Sequence, residues 1–574
     1  MILLFTLAAL AGYAPPARAQ SPALPAASLS PRVEAMLDSL PLRARIAQLV
    51  MPWLPGTPAA TDPWMARAHQ WIDSLQVGGV IISIGTPLEI AHKLNTLQRR
   101  SALPLLVASD LEGGTAIRFT GGTPFPTNMG VAAGGSESDA YQMGRITAAE
   151  GRAVGIHLTF SPVADINNNP ANPIINTRSF GADPALVGRL VGAAVRGTQD
   201  GGLLATAKHF PGHGDTGTDS HISLPVITAG WPRLDSLELA PFRAAIAAGV
   251  AAVMSAHIAL PGLDPAESRP ATLVPGILTG ILRDSLGFGG LVVTDALDMG
   301  ALIQAWGPGE AAVLAFLAGS DLLLQPTDPF AVVDAMEAAV RSGRITASRL
   351  DQSVRRVLTI KERMGLFARR TADLNTVAEV VGHPDHRATA LAASRRSVVL
   401  VQDNQGAVDG LRAGPARIVL VGYGEGAAAQ VGDTLADHLV RRGHSVTVAR
   451  IRPGNTMAAD LAAARQAVGG SATPVFVVSV RATSGRGTLA LPDSVAALIE
   501  ATALRVPTVL VSLGSPYVLS QAPSSGAFLA GWTATALTEI AVAEALTGGA
   551  ITGRLPIPLP PGIAAGTGLQ RPGR

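Results

Sequence analysis

The sequence predicts an α/β protein of two units: a (β/α)8 TIM-type barrel over residues 20–370 and an α/β sandwich over residues 387–574, joined by a linker at residues 371–386. Three observations carry this. Short apolar, β-branched runs alternate with helix-like intervals eight times before the linker, the pattern of a closed parallel sheet. A second series of such runs follows it, separated by Ala-rich helical stretches, and fully apolar strands between helices imply a mostly parallel sheet covered on both faces. Finally, five successive strands of the first series are followed by polar or charged residues. Barrels keep their chemistry at that rim.

The chain opens on a stretch, Ile2 to Gly12, that is almost wholly apolar, and Ala17-Arg18-Ala19 before Gln20 is a small-x-small cleavage pattern. Residues 1–19 are therefore expected to be a signal peptide and the mature protein to be exported, periplasmic or extracellular. The run is too short to span a bilayer, and no later segment is expected to span one. There is no cysteine, which excludes disulfides, thiolate metal sites, a cysteine nucleophile and a lipidated cysteine. The 574 residues are 48% hydrophobic and 15% charged, enough to bury a large core. With a net charge of +2 and scattered Lys and Arg, nucleic acid is not an expected partner.

The eight expected barrel strands are Ile46 to Pro52, Gly79 to Ile84, Leu105 to Ser109, His157 to Pro162, Leu203 to Ala207, Val250 to Ala256, Leu291 to Thr294 and Asp321 to Gln325. The first reads equally well as a helix. The third is followed by Asp110, the fourth by Asp165 and then Arg178, the fifth by Lys208 and His209, the sixth by His257 and the seventh by Asp295. An amphipathic helix over Asp351 to Phe367 closes this unit. Past the linker, strands are expected at Ser397 to Val401, Arg417 to Val421, Ser445 to Ala449, Val475 to Val480 and Thr508 to Ser512. Gly422, Gly424 and Gly426 follow the second of these with the spacing of a tight turn rather than a dinucleotide-binding fingerprint.

The densest chemistry lies in Lys208 to Leu224, KHFPGHGDTGTDSHISL, where one lysine, three histidines and two aspartates fall within fourteen residues. His209, His213, Asp215, Asp219 and His221 are all metal-ligand types. Lys208 beside them and the lack of a helical i, i+4 histidine pair argue against a metal. Asp219 and His221, two apart, can pair so that the carboxylate fixes the imidazole tautomer, as a proton shuttle requires. The span Pro211 to Gly217 reads as a glycine-rich hinge. Asp295, rigid at a strand end, can attack an electrophile or stabilise positive charge, or it can cap the helix that follows. Lys208 can donate to a hydroxyl or anion, or pair with Asp165 or Asp215. Asp110 can accept from sugar hydroxyls or cap the Gly113-Gly114 turn, and Glu112 can anchor that turn. His257 reads as a hydrogen-bonded wall residue, and Asp298 as a solvated helix residue.

KHFPGHG followed by four residues and then Asp219-Ser220-His221 resembles the signature of the β-N-acetylglucosaminidase branch of glycoside hydrolase family 3. The resemblance runs in order from about Arg43 through SDLEGG, SPVADINNNP, NTRSFG and VVTDALDMG to the GRLPIPLP tail that begins at Gly553. It implies that Asp295 is a nucleophile, that His221 oriented by Asp219 is the general acid/base, and that Asp110, Arg178, Lys208 and His209 grip a terminal N-acetylglucosamine. It also implies a retaining exo-hydrolase, with no cofactor or metal, acting on peptidoglycan fragments or chitooligosaccharides. A histidine acid/base departs from the usual pair of carboxylates. Leu111 stands where that family commonly has Gln, and Thr294 where Ser is common, so Leu111 is expected to alter packing beneath the sugar. The competing readings are a family 3 β-glucosidase or β-xylosidase, a GlcNAc phosphorylase, and a non-catalytic sugar-binding protein. Ala296 after Asp295, where the β-glucosidase branch resembles Trp, and the Asp219/His221 pair weigh against the first.

Overall fold

The computed structural model describes residues 30–57, 62–264, 269–483, 485 and 487–574. The expected signal peptide lies outside the described residues. Both units are α/β.

In the first unit Val50–Met51 and Trp53–Leu54 are two pieces of one strand, interrupted because Pro52 has no N–H to give to a ladder. Trp53–Leu54 pairs in parallel with Gly79–Ile82, and parallel pairing continues in chain order through Leu106–Ser109, Leu158–Thr159, Leu204–Phe210, Ala252–Ser255 and Leu291–Val293. Val50–Met51 pairs with Leu323–Leu324, and a parallel bridge joins Val293 to Leu322. The circuit of pairings thus returns to its start. The strands are buried and mostly apolar, as a sheet faced by helices demands, with Thr206, Lys208 and His209 of Leu204–Phe210 the buried polar exceptions nearest the site. The first expected strand is partly corrected, because Leu42–Ala47 is helical, with Ala44, Ile46 and Ala47 on its buried side.

The helices between the strands start where their caps dictate. Thr86 accepts from the Glu89 N–H while the Glu89 carboxylate accepts from the Thr86 N–H, a reciprocal cap ahead of Pro87–Arg100. Asp328 accepts from the Phe330 and Ala331 N–H groups to begin Pro329–Arg341. Among the described residues one helix, Gly300–Ala318, is long and apolar enough to cross a membrane by length and composition. It is broken at Gly307, where φ is 66°, and by Pro308, and Ala311, Ala312, Ala315 and Phe316 on its far half are buried in the core.

Residues 371–386, polar enough to read as a linker, are folded onto the first unit. Asn95 exchanges two hydrogen bonds with Ala372, at 2.9 and 2.8 Å, and Leu374–Val380 is a helix. Glu150, fully buried, accepts from Thr123, from the Gly382 N–H at 3.0 Å and from His386 Nδ1 at 2.9 Å. The helix Pro384–Ser397 then leads into the second unit.

That unit is a six-stranded sheet in the order Val399–Asp403, Ala527–Ala530, Val509–Ser512, Thr473–Ser479, Arg417–Gly424, Ser445–Ile451; the first pair is antiparallel and the rest are parallel. Alternate residues of a strand feed opposite faces. Val419, Val421 and Tyr423 join one apolar cluster, with Phe476 and the helix Asp493–Ala503; Ile418 and Leu420 join the other, with Val477 and the helix Ala536–Leu546. Ala527–Ala530 is the strand that the pattern did not reveal, since four residues with Ala at both ends carry little β propensity.

Candidate active site

The strand ends of the first unit and several loops of the second line one cavity of about 800 Å3. Asp110, Arg178, Lys208, His209, His221 and Asp295 all face it, and Asp219 lies buried directly behind His221. Six of the seven residues singled out from the sequence therefore line a single pocket and the seventh supports one of them.

Asp295 follows Leu291–Val293 through Thr294, whose buried Oγ1 accepts from the Leu324 N–H at 3.0 Å and ties two neighbouring strands. Asp295 Oδ1 accepts from the Ala296 N–H at 2.8 Å. The next helix starts only at Gly300, so Asp295 is not its cap. Burial pushes this carboxyl up, but His209, His257, the Ala296 N–H and Lys208 together outweigh it and bring the group down to about 2. Asp295 is thus a charged carboxylate held at the bottom of the pocket. His257 is the wall residue expected, fully buried between Thr272 Oγ1 at 2.8 Å and the Ala296 carbonyl at 2.9 Å.

Opposite it sits a charge cluster centred on Glu112. Arg178 donates to Glu112 through Nε and Nη2, both at 2.9 Å, and Lys208 Nζ lies 2.6 Å from the same carboxylate. Lys208 also donates to Asp110 at 3.1 Å, and Arg118 lies 3.5 Å from Asp110. Burial raises the Glu112 carboxyl, yet Arg178 and Lys208 hold it well below the usual range. Burial likewise lowers Lys208, and Glu112 and Asp110 more than restore it. Lys208 is therefore paired with Asp110 and Glu112, not with Asp165 or Asp215. Glu112 fixes the two cations rather than anchoring the Gly113-Gly114 turn. Replacing Glu112 by Gln leaves both cations facing a neutral amide; breaking a buried pair of this kind costs roughly 3–5 kcal/mol, so a clear drop in the thermal unfolding midpoint is expected.

The first half of the long loop is locked. Asp165 accepts from the His209 N–H at 3.1 Å and the His213 N–H at 2.7 Å, and its other oxygen is 2.7 Å from His209 Nδ1. Asn172 Nδ2 donates to the carbonyls of His213 and Gly214, both at 2.9 Å. Gly214 has no room for a side chain, because a Cβ there would lie 1.6 Å from the Ile166 carbonyl oxygen. The hinge expected over Pro211 to Gly217 is corrected in part: Gly212 and Gly214 permit close approach, whereas Gly217 stands in open space. Burial lowers His213 to about 4, so it is a neutral ring between Thr216 and Ser220. Asp215 pairs with Arg233. His209, His213 and Asp215 thus each have other partners, and among the described residues no group of three or more His, Asp or Glu side chains is placed to hold a metal ion.

The distal half carries the shuttle. Asp219 Oδ1 accepts from the His221 N–H at 2.9 Å and from His221 Nδ1 at 2.7 Å. Asp219 Oδ2 accepts from the Gly485 N–H at 2.8 Å, a donor from the second unit. Burial pushes Asp219 up, but these three hydrogen bonds and the imidazole keep it below the usual range. The pairing leaves His221 Nε2 as the nitrogen that exchanges protons. The His221 side chain is 36% exposed, so water reaches it.

The second unit was silent in the sequence but is present in the pocket. Arg481, Ala482 and Thr483, Ala427 of the glycine turn, and Trp532 to Thr535 all line it. Asn167 Nδ2 donates to Tyr517 Oη at 2.7 Å and Asn176 Nδ2 to Ser515 Oγ at 3.2 Å, clamping the units together. The usable signal was positional: RATSGRG follows the end of a parallel strand, where open α/β sheets place ligands. Leu111 packs in the core and is 1% exposed. Asp298 is exposed at the rim as expected, but in the turn ahead of the helix rather than on it, accepting from Gln325 Nε2 at 3.0 Å.

Residues 41–360 match the model of the glycosyl hydrolase family 3 N terminal domain. A Beta-N-acetylglucosaminidase/beta-glucosidase from Cellulomonas fimi is 34% identical over 466 residues, covering 78% of this chain and 82% of that protein. The solved structure of a glycoside hydrolase family 3 beta-N-acetylglucosaminidase from Paenibacillus sp. str. FPU-7 superposes with a TM-score of 0.80 at 36% identity, over 91% of this chain and 99% of that one. A beta-glucoside phosphorylase, BglX, superposes with a TM-score of 0.81 at 27% identity, over 92% and 96%. With a charged carboxylate and a histidine–aspartate pair in one sugar-sized pocket, and with the family model spanning more than half its length, the chain belongs to glycoside hydrolase family 3.

Proposed function

We propose that the protein is a retaining exo-β-N-acetylglucosaminidase, with Asp295 as nucleophile and His221, paired with Asp219, as acid/base. The observation that carries this reading is the pairing, in one pocket, of a carboxylate ionised down to about pH 2 with an imidazole whose Nδ1 is held by a buried aspartate. In the first step Asp295 attacks C1 while protonated His221 gives its Nε2 proton to the departing oxygen. In the second, neutral His221 takes a proton from water, which attacks C1 and releases Asp295; two inversions retain configuration. Asp110, Arg178, Lys208 and His209 bind the sugar. The relatives named for N-acetylglucosaminidase activity support the choice of sugar.

This reading takes the circuit of eight strands over residues 20–370 as a TIM-type barrel, and residues 387–574 as an α/β sandwich that completes the pocket. It takes residues 1–19 as a signal for export, and peptidoglycan fragments or chitooligosaccharides as the substrates. Comparing p-nitrophenyl β-GlcNAc with the β-glucoside tests the sugar, and preference for the glucoside sinks it. The phosphorylase neighbour motivates the second reading. GlcNAc 1-phosphate as the main product in phosphate buffer would establish it in place of hydrolysis.

A further inference from the structure

Asp295 stands on a turn that belongs to neither of its neighbours: the strand before it ends at Val293 and the next helix begins at Gly300. No regular ladder fixes the backbone that presents this carboxylate, so individual hydrogen bonds must do so. The Leu297 N–H donates to the Leu324 carbonyl at 2.9 Å, and the Ala296 carbonyl accepts from the Met299 N–H at 3.3 Å. The same Ala296 carbonyl lies 2.9 Å from His257 Nε2. Among the described residues, His257 is the one side chain from another strand end that hydrogen-bonds the backbone of this turn. The mechanism proposed above gives it no part.

A carbonyl can only accept, so His257 carries its proton on Nε2. Nδ1 then takes the Thr272 hydroxyl proton at 2.8 Å, and with that proton spent Ser255 Oγ donates to Thr272 Oγ1 at 2.9 Å. The Ala256 carbonyl, 3.0 Å from the same hydroxyl, could claim its proton only if the ring were charged, and burial disfavours that charge. The fully buried ring is thus held from both sides, in one tautomer and one orientation. Asp295 accepts a single hydrogen bond, from the Ala296 N–H at 2.8 Å, so the placement of Ala296 sets the rotation of the carboxylate. We infer that His257 is a positioning residue: by holding the Ala296 carbonyl it fixes the residue whose N–H occupies Oδ1 of Asp295, and so aims Oδ2 at C1. This inference rests on the proposed activity and deepens it, adding to the nucleophile the group that orients it.

The test separates aim from grip. His257→Leu should lower kcat/KM on p-nitrophenyl β-GlcNAc by roughly 30- to 300-fold, the scale of a reacting group displaced by about 1 Å. The inhibition constant of free GlcNAc reads the sugar contacts alone and should change by less than about 3-fold. His257→Gln, whose side-chain amide can donate to the Ala296 carbonyl, should recover most of the loss. Thr272→Val leaves His257 in place and removes the partner of Nδ1, so it should cost roughly 3- to 10-fold, the worth of one hydrogen bond. That variant decides the matter if His257→Leu does not fold. Equal losses in His257→Leu and His257→Gln, or losses matched by a rise in the GlcNAc inhibition constant, would overturn the assignment. Wild-type kcat/KM in Thr272→Val would overturn it as well. Preference for the aryl β-glucoside, with the same pattern of losses on it, would overturn the N-acetylglucosaminidase reading and leave the role of His257 standing.

Discussion

Asp295→Ala lowers kcat on an aryl β-N-acetylglucosaminide by roughly 10⁴- to 10⁶-fold, the scale on which loss of a nucleophile is felt elsewhere. The size follows from the absence of a substitute among the described residues: Asp298, three residues on, stands at the rim, hydrogen-bonded to Gln325, and partial desolvation by the surrounding pocket wall raises its carboxyl rather than lowering it. The variant should fold, because Asp295 in the native protein accepts one hydrogen bond, from its neighbour Ala296. Small anions distinguish a lost nucleophile from general damage. Azide can occupy the space vacated by the carboxylate and attack C1 of a substrate with an activated leaving group. It should restore turnover and yield the α-glycosyl azide. Appearance of the β-azide, or retention of a tenth of the activity without azide, would remove Asp295 from this role.

The same residue fixes the acid side of the pH profile. Its folded value of about 2 is depressed below the ordinary value of about 3.9. Asp295 is therefore charged above about pH 3, and no acid limb at pH 4–6 belongs to it. The linked stability has the matching sign: it is complete above the unfolded value and is lost as pH falls through about 2.

Most of the first unit was legible because a barrel strand announces itself twice, by its apolar run and by the polar residue that follows. Asp110 and Asp295 stand at such junctions, whereas Lys208, expected past a strand ending at Ala207, lies within Leu204–Phe210. What the pattern concealed depended on contacts distant in sequence. The pairing of Lys208 with Glu112 joins residues from two different strand ends, and no local spacing encodes it. Gly214 looked like a hinge because a glycine needed for close approach and one needed for freedom read alike; the Ile166 carbonyl decides between them. The second unit's share was hidden for a related reason. Gly485 acts through its backbone N–H, which every residue but proline possesses, so its side-chain identity says nothing of the bond to Asp219.

The histidine pair yields the second large effect. His221→Ala should cost roughly 10²- to 10⁴-fold in kcat/KM on a substrate with a sugar leaving group, the usual worth of a placed general acid. A dinitrophenyl glycoside, whose leaving group departs without a proton, should lose far less in the first step. Equal losses on both would exclude proton donation as the role of His221. The pH dependence must split in the same way. Glycosylation needs His221 protonated, so kcat/KM on the sugar leaving group falls on the alkaline side, whereas the dinitrophenyl substrate lacks that limb. Asp219 then provides the control, because it acts only through the imidazole. Its buried carboxylate, 2.7 Å from Nδ1, fixes which ring nitrogen exchanges protons. Asp219→Asn keeps one oxygen for the His221 N–H and Nδ1 while removing the charge, and its amide nitrogen then faces the Gly485 N–H. Without the carboxylate's hold on Nδ1, kcat/KM on the sugar leaving group should fall, with the rate on the dinitrophenyl substrate reduced much less. Equal losses on both substrates in Asp219→Asn would mean that the carboxylate merely shapes the loop, and the shuttle would have to be assigned to another group.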